Sequence, residues 1–135
     1  MFKFGIIFAF TFIYPMLKAQ QTRTPEAVVQ ENLDFYNQRN LEGFMSSFSD
    51  SIALYNFGKS EPIAEGKEVI RNLYKGLFDA SPKLHSTILH RSIIGNKVID
   101  HESIVGRKGS EVPIELVMIY EVLGDKIVCM TVVRE

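Results

Sequence analysis

Two glycine dipeptides, Gly95-Asn96 and Gly124-Asp125, constrain this chain more than any other feature. Each is a two-residue hairpin signal, because the turn types that match strand twist need left-handed backbone, which Gly, Asn and Asp adopt most readily. Each sits between runs of strand length and apolar character. Residues 83–94, 97–105, 112–123 and 126–134 therefore read as four consecutive antiparallel strands, with 107–111 as the loop between the two hairpins.

The half before them reads differently. Thr24-Pro25-Glu26 supplies a capping hydroxyl, a proline for the first helical position and an acid for the first turn. Val28, Val29, Asn32, Leu33, Phe35 and Tyr36 then hold one flank largely apolar at helical spacing through Arg39. A short second helix opens at Asn40-Leu41-Glu42, carries Leu41, Phe44, Met45 and Phe48, and ends at Asp50-Ser51. Residues 51–57 (SIALYNF) read as a strand and 58–62 as a turn. Residues 66–80 read as a third helix with Val69, Ile70, Leu73, Leu77 and Phe78 on its buried side, stopped by Ser81-Pro82. Helices segregated from a run of antiparallel strands make the expected fold class α+β.

The first nineteen residues, MFKFGIIFAFTFIYPMLKA, have another purpose. Lys3, an uncharged apolar run from Gly5 to Tyr14, a break at Pro15 and a small residue at Ala19 follow the order of a secretory signal peptide. The run is shorter than the roughly 20 residues of a membrane-spanning helix, and no cysteine follows it for lipid attachment. The expected organisation is a signal peptide at 1–19, a polar leader at 20–24 and one domain at 25–135, exported to a periplasm or secreted. Cleavage removes Lys3 and Lys18 and no acid, leaving 13 Lys+Arg against 16 Asp+Glu and a net charge of −3. With no basic stretch, neither nucleic acid nor, after cleavage, a membrane is an expected partner. Cys129, the single cysteine, has no internal disulfide partner and reads as a small buried hydrophobe, so the core must stabilise the domain.

The element order helix, short helix, strand, helix, four strands resembles the cone-shaped nuclear transport factor 2-like superfamily. Local words point the same way: VVQENLDFYNQRNLEGFMSSFSDSIALYNF over 28–57, GNKVIDHESIVGR over 95–107 and EVLGDKIV over 121–128 resemble its SnoaL-like and steroid Δ-isomerase-like branches. The resemblance implies a curved sheet wrapped around helices and enclosing a pocket. It does not imply one chemistry, because this superfamily hosts isomerases, cyclases, dehydratases and non-catalytic members. Ketosteroid isomerases use an aspartate base, a tyrosine and a protonated aspartic acid. Aligned on Ser60-Glu61-Pro62 and Val28-Val29-Gln30, those positions fall on Asn56, Asn32 and near Met118. Asparagine cannot abstract a proton and methionine cannot hold an oxyanion, so the isomerase mechanism does not transfer.

The first hairpin carries the remaining candidates. A two-residue turn pairs Ile94 with Lys97 and, by counting back, Arg91 with Asp100, His90 with His101 and Leu89 with Glu102. One face then holds His85, Thr87, Leu89, Arg91 and Ile93 with Val98, Asp100, Glu102 and Ile104. Both faces carry apolar residues and either could be concave; the isomerase alignment puts Asp100 and Glu102 on the concave side. Apolar residues with a few convergent polar groups suit a pocket wall. Two carboxylates held close repel, which raises the pKa of one. Arg91 would keep Asp100 ionised, leaving Glu102 as the first candidate proton carrier, with Asp100 and His85 as the other catalytic candidates. Without a pocket, Arg91–Asp100 is an exposed cross-strand pair worth roughly 0.2–1 kcal/mol.

Tyr120 lies on the apolar side of 112–123 with Met118 and is expected to face inward. Asn32, Asn56, Arg91, Met118 and Tyr120 form the candidate ligand-binding set. On the last strand, a plain turn would put Cys129 and Thr131 inward, whereas a bulge would put Met130, Val132 and Arg134 there. No metal is expected: in Asp100-His101-Glu102 the histidine points away from both acids, and His90 with His101 gives only two ligands. No Gly-rich phosphate loop, G-x-S-x-G, C-x-x-C or H-E-x-x-H motif occurs, and no cofactor is expected. The function classes that remain are a cofactor-free isomerase- or lyase-type enzyme acting on a small apolar molecule, a ligand-binding protein using the same pocket, and a homodimeric interaction module.

Overall fold

The computed structural model describes residues 22–135, so the expected signal peptide lies outside the described residues. The chain forms α1 (Pro25–Asn37), α2 (Leu41–Ser46), β1 (Phe48–Asn56), β2 (Pro62–Glu65), α3 (Lys67–Asp79), β3 (His85–Ile94), β4 (Lys97–Val105), a single 3-10 turn (Arg107–Gly109), β5 (Ile114–Leu123) and β6 (Lys126–Val133). The six strands form one sheet in the order β2-β1-β6-β5-β4-β3. All neighbours are antiparallel except β1 and β6, which run parallel. The sheet curls around the three helices as an α+β cone. Among the described residues, no helix is long and apolar enough to cross a membrane.

Local chemistry sets the helix ends. The Thr24 hydroxyl accepts from the Ala27 amide at 3.2 Å with Pro25 at the first position, and Asn40 Oδ1 accepts from the Gly43 amide at 3.0 Å to start α2. Asn37, the last residue of α1, donates its amide to the Ser86 carbonyl at 3.0 Å and accepts from the Ser86 N–H at 2.7 Å. That reciprocal pair pins the end of α1 to the start of β3. Phe44 anchors the core, with ring centroids at 4.5 Å from Tyr74, 4.9 Å from Phe48 and 5.5 Å from Phe78. Such tilted and edge-on pairs each add about 0.5–1.5 kcal/mol beyond their buried area.

Several expectations are corrected. Phe48 opens β1 instead of closing the second helix. Residues 62–65 form a short edge strand where only a turn ending at Pro62 was expected, and β5 starts at Ile114, two residues later than expected. On α3 the buried stripe is Ile70, Tyr74 and Phe78, while Val69 is 52% and Leu73 45% exposed.

The largest correction lies in β3. The turn at Gly95-Asn96 does pair Ile94 with Lys97, Arg91 with Asp100 and His90 with His101. Leu89 is then an extra residue: Ile88, not Leu89, pairs with Glu102. A bulge of this kind reverses side-chain facing beyond it. Ser86 therefore turns inward and is buried, whereas His85, Thr87 and Leu89 are exposed. A second bulge sits between Glu121 and Val122, which pair with Cys129 and Ile127. It leaves Val128 unpaired and turns Met130 and Val132 inward, so the bulged alternative for the last strand holds. Cys129 faces the outer side, half-buried, instead of the core.

Candidate functional site

The open end of the cone encloses a cavity of about 300 Å³. Its walls are mainly apolar, with Leu54, Ile104, Leu116, Met118, Met130 and Val132 contributed by the sheet. The polar groups fall into two sets. Inside are Glu102, Asn32 and the tyrosines Tyr36, Tyr74 and Tyr120; at the rim are Arg107, Lys108 and Arg134.

Glu102 stands on the second strand of the first hairpin and is only 4% exposed. Ser86 Oγ donates to its Oε2 at 2.7 Å, and Tyr120 Oη donates to its Oε1 at 3.4 Å. Its pKa is raised from 4.5 to about 7 in all: burial is the main cause and the nearby Asp100 charge adds to it, while the Ser86 and Tyr120 hydrogen bonds and Arg91 hold the rise back. Desolvation disfavours the carboxylate, while donors aimed at it favour it. The result is a carboxyl group that both accepts and releases a proton near neutrality, which suits general acid or base work.

The tyrosines remain donors. Burial pushes the Tyr74 hydroxyl up to about 12 and pushes those of Tyr36 and Tyr120 up too, with Tyr120 well above its ordinary value. Among the described residues, the Tyr36 and Tyr74 hydroxyls have no hydrogen-bonded side-chain partner. They are available to a ligand oxygen. Tyr36 follows Asn32 by one helical turn on α1, and Tyr74 belongs to the corrected stripe of α3.

The sequence-predicted residues divide as follows. Glu102, Tyr120, Met118 and Asn32 line the cavity. The Asn32 amide, 2% exposed, donates to the Phe44 carbonyl at 3.0 Å, so one of its donors is committed to holding α2 on α1. Arg91 and Asp100 share the concave face without lining the cavity. Arg91 grips Asp100 through two bonds of 2.7 and 2.8 Å and reaches Gln30 of α1 at 2.8 Å. With Asp100 fully buried, α1 closes over the pair. It is a sealed ion pair, not the exposed one considered from sequence. Asn56 lies beside the rim, where its Oδ1 accepts from Arg134 Nη2 at 3.4 Å, and is not part of the wall.

His85 is corrected outright: the Leu89 bulge puts it on the outer side, exposed, away from Glu102. His90 and His101 also face outward, with His90 Nε2 at 3.1 Å from Ser92 Oγ and His101 Nε2 at 2.8 Å from Glu115 Oε2.

Sequence reasoning missed Tyr36, Tyr74, Ser86, Arg107 and Lys108 as site residues. The helical spacing of Ile70, Tyr74 and Phe78 was a usable signal for Tyr74. Ser86 had none, because only the bulge brings it inward. The rim loop is held by detail of the same kind. Gly106 has φ +74°, and a Cβ there would lie 2.2 Å from the Lys83 carbonyl oxygen, so only glycine fits. Lys108 follows in a left-handed conformation (φ 49°, ψ 38°). Its backbone N–H donates to the fully buried Ser81 Oγ at 2.8 Å.

No curated protein matches the chain. Solved structures do. An uncharacterized cystatin fold protein from Novosphingobium aromaticivorans superposes with TM-score 0.76 at 21% identity, over 83% of this chain and 99% of that one. An NTF2-like protein of unknown function from Cytophaga hutchinsonii gives 0.67 at 17% identity, over 84% and 91%. A protein with a ketosteroid isomerase-like fold from Catenulispora acidiphila, in complex with trimethylamine, gives 0.66 at 18%, over 82% and 85%. Likeness at these identities establishes the nuclear transport factor 2-like fold and leaves the chemistry to the site. The family model described as SnoaL-like domain matches residues 29–130, from within the first helix to within the last strand. The chain belongs to the SnoaL-like domain family.

Proposed function

We propose that this protein takes a small, largely apolar molecule into its cone and that Glu102 moves a proton on it, in a cofactor-free isomerase- or lyase-type reaction. The observation that carries the reading is a nearly neutral-pKa carboxyl group, buried at the wall of an apolar cavity and facing tyrosine hydroxyls. As carboxylate, Glu102 takes a proton from carbon next to a carbonyl. The C–H electron pair becomes the enolate double bond, and the negative oxygen accepts from a tyrosine O–H. Return of the proton from Glu102 at the same or a conjugated carbon regenerates the carboxylate. None of these groups occupies a ketosteroid isomerase catalytic position.

The test is exchange of α-protons for deuterium in a panel of aryl and cyclic ketones, followed by NMR. The wild-type protein accelerates exchange, and Glu102→Gln loses about a hundredfold or more of it at an unchanged fold by circular dichroism. Equal exchange by both proteins overturns the catalytic reading. One observation favours a second reading, a binding protein without chemistry: both oxygens of Glu102 already have donors. Ligand retained through purification with no exchange on any ketone selects it.

We further propose that the protein is exported, on the signal-like segment at 1–19, and that a second copy of the chain packs on the outer sheet face. Val117, Ile119, Thr131 and Val133 lie on that face only half-buried. A dimer by light scattering that Ile119→Lys splits supports pairing there; a wild-type monomer at high micromolar concentration refutes it.

A further inference from the structure

The geometry points to a ligand that carries a carboxylate, seated at the cavity rim against Arg107, Lys108 and Arg134, with its apolar body pointing inward. This rests on the cavity being a ligand site and adds the substrate class. All three cations line the cavity, and they come from two separate segments, the loop after β4 and the end of β6. Among the described residues, none of them forms an ion pair, and they are the cations that line this cavity; Arg71, Lys75, Arg91 and Lys97 pair with acids elsewhere, and other unpaired cations such as Lys59 and Lys67 do not line it. Among the described residues, the one hydrogen bond that the side chains of these three cations make is the long one from Arg134 to Asn56. Convergent unpaired cations around one opening repel one another, and an anion placed between them relieves that repulsion.

The backbone adds an independent sign. Lysine rarely adopts the left-handed conformation that Lys108 holds. The buried Ser81 hydroxyl and the glycine-only approach at Gly106 impose it, and such outliers collect at ligand clamps. Arg134 reaches the rim only through the β6 bulge. Two local irregularities thus deliver cations to one opening.

The inside of the cavity rejects the same charge. Glu102 lies deep, and a carboxylate beside it would meet a like charge whenever Glu102 is ionised. The anionic end therefore stays at the rim, which aims the other end of the molecule at Glu102 and the tyrosines. Arginine forks match a carboxylate with two parallel bonds, and an apolar wall rejects a hydrated polyanion.

The test pairs each probe with its neutral twin: naphthylacetate, phenylbutyrate and octanoate against their primary amides, by isothermal titration at low salt. The carboxylates are expected to bind about tenfold tighter or more than the amides. The preference shrinks as salt is raised and falls close to unity in Arg107→Gln/Arg134→Gln. Amides that bind as well as the acids overturn the inference and leave the cavity reading standing. Failure of every probe, acid and amide alike, overturns both. Circular dichroism of the double variant, matching wild type, separates lost recognition from lost folding.

Discussion

Replacing Glu102 by glutamine is expected to remove a specific pH dependence from the stability of this domain. The unfolded chain ionises Glu102 at its ordinary 4.5, whereas in the folded protein burial holds the group neutral up to about 7. Between those values the folded state binds more protons than the unfolded state. Stability therefore falls as pH rises, by up to about 1.4 kcal/mol per pH unit. The contribution is fully present below about pH 4.5 and is lost as pH rises through about 7. Integrated across that window it amounts to about 3 kcal/mol, a large part of a small domain's 5–15 kcal/mol of typical stability. Glutamine has the same shape and no titration, and the Ser86 hydroxyl can rotate to accept from its amide. Urea unfolding of both proteins from about pH 4 to about pH 9 isolates the group, since the other acids and histidines cancel in the difference. The variant gains on wild type steadily between pH 4.5 and 7 and keeps a constant lead above. Parallel profiles would falsify the claim that Glu102 is held neutral by burial, and with it the basis for its proton-carrying role.

Three further outcomes are expected. Arg91→Met strands the fully buried Asp100 without its two bonds and costs about 3–5 kcal/mol in chemical unfolding; adding Asp100→Leu recovers most of it, and a neutral single variant would mean that Asp100 finds other solvation. Gly106→Ala drives a Cβ to 2.2 Å from the Lys83 carbonyl and destabilises by about 3 kcal/mol or more. Gly109→Ala, at φ +79° with open space around it, costs only about 1 kcal/mol, and equal melting temperatures for the two would refute the packing argument. Mass spectrometry of protein from the exported fraction should find a chain starting at Gln20; an intact Met1 in that fraction rules out cleavage.

The cone was legible because its signals are periodic. The turns at Gly95-Asn96 and Gly124-Asp125 and the cap at Thr24-Pro25 state where strands and helices begin. Near its turn, the first hairpin also states its register, so the contacts of Arg91 with Asp100 could be counted from sequence. Elsewhere two patterns compete. On α3, Val69-Leu73-Leu77 and Ile70-Tyr74-Phe78 are both apolar at four-residue spacing; the second enters the core, and Leu73 and Leu77 of the first edge the cavity. On β3, His85 and Ser86 are both polar and Ile88 and Leu89 both apolar, so neither facing is preferred and a bulge leaves no trace. The edge strand at Pro62–Glu65 is too short for a period, and its proline fits an edge where no donor is needed.

Those hidden features share a consequence. A regular β3 would have put His85 on the concave face; the bulge at Leu89 puts Ser86 there, against Glu102. A regular β6 would have put Thr131 inward; the second bulge aligns Met130 and Val132 with the cavity and carries Arg134 to its rim. The left-handed turn at Lys108 completes that rim. Each departure from regular geometry changes which polar side chain meets the cavity and leaves the strand order untouched. The periodic part of the sequence specifies the cone, and the aperiodic part specifies the chemistry inside it. In this domain an error in reading a strand is therefore itself a pointer to the site.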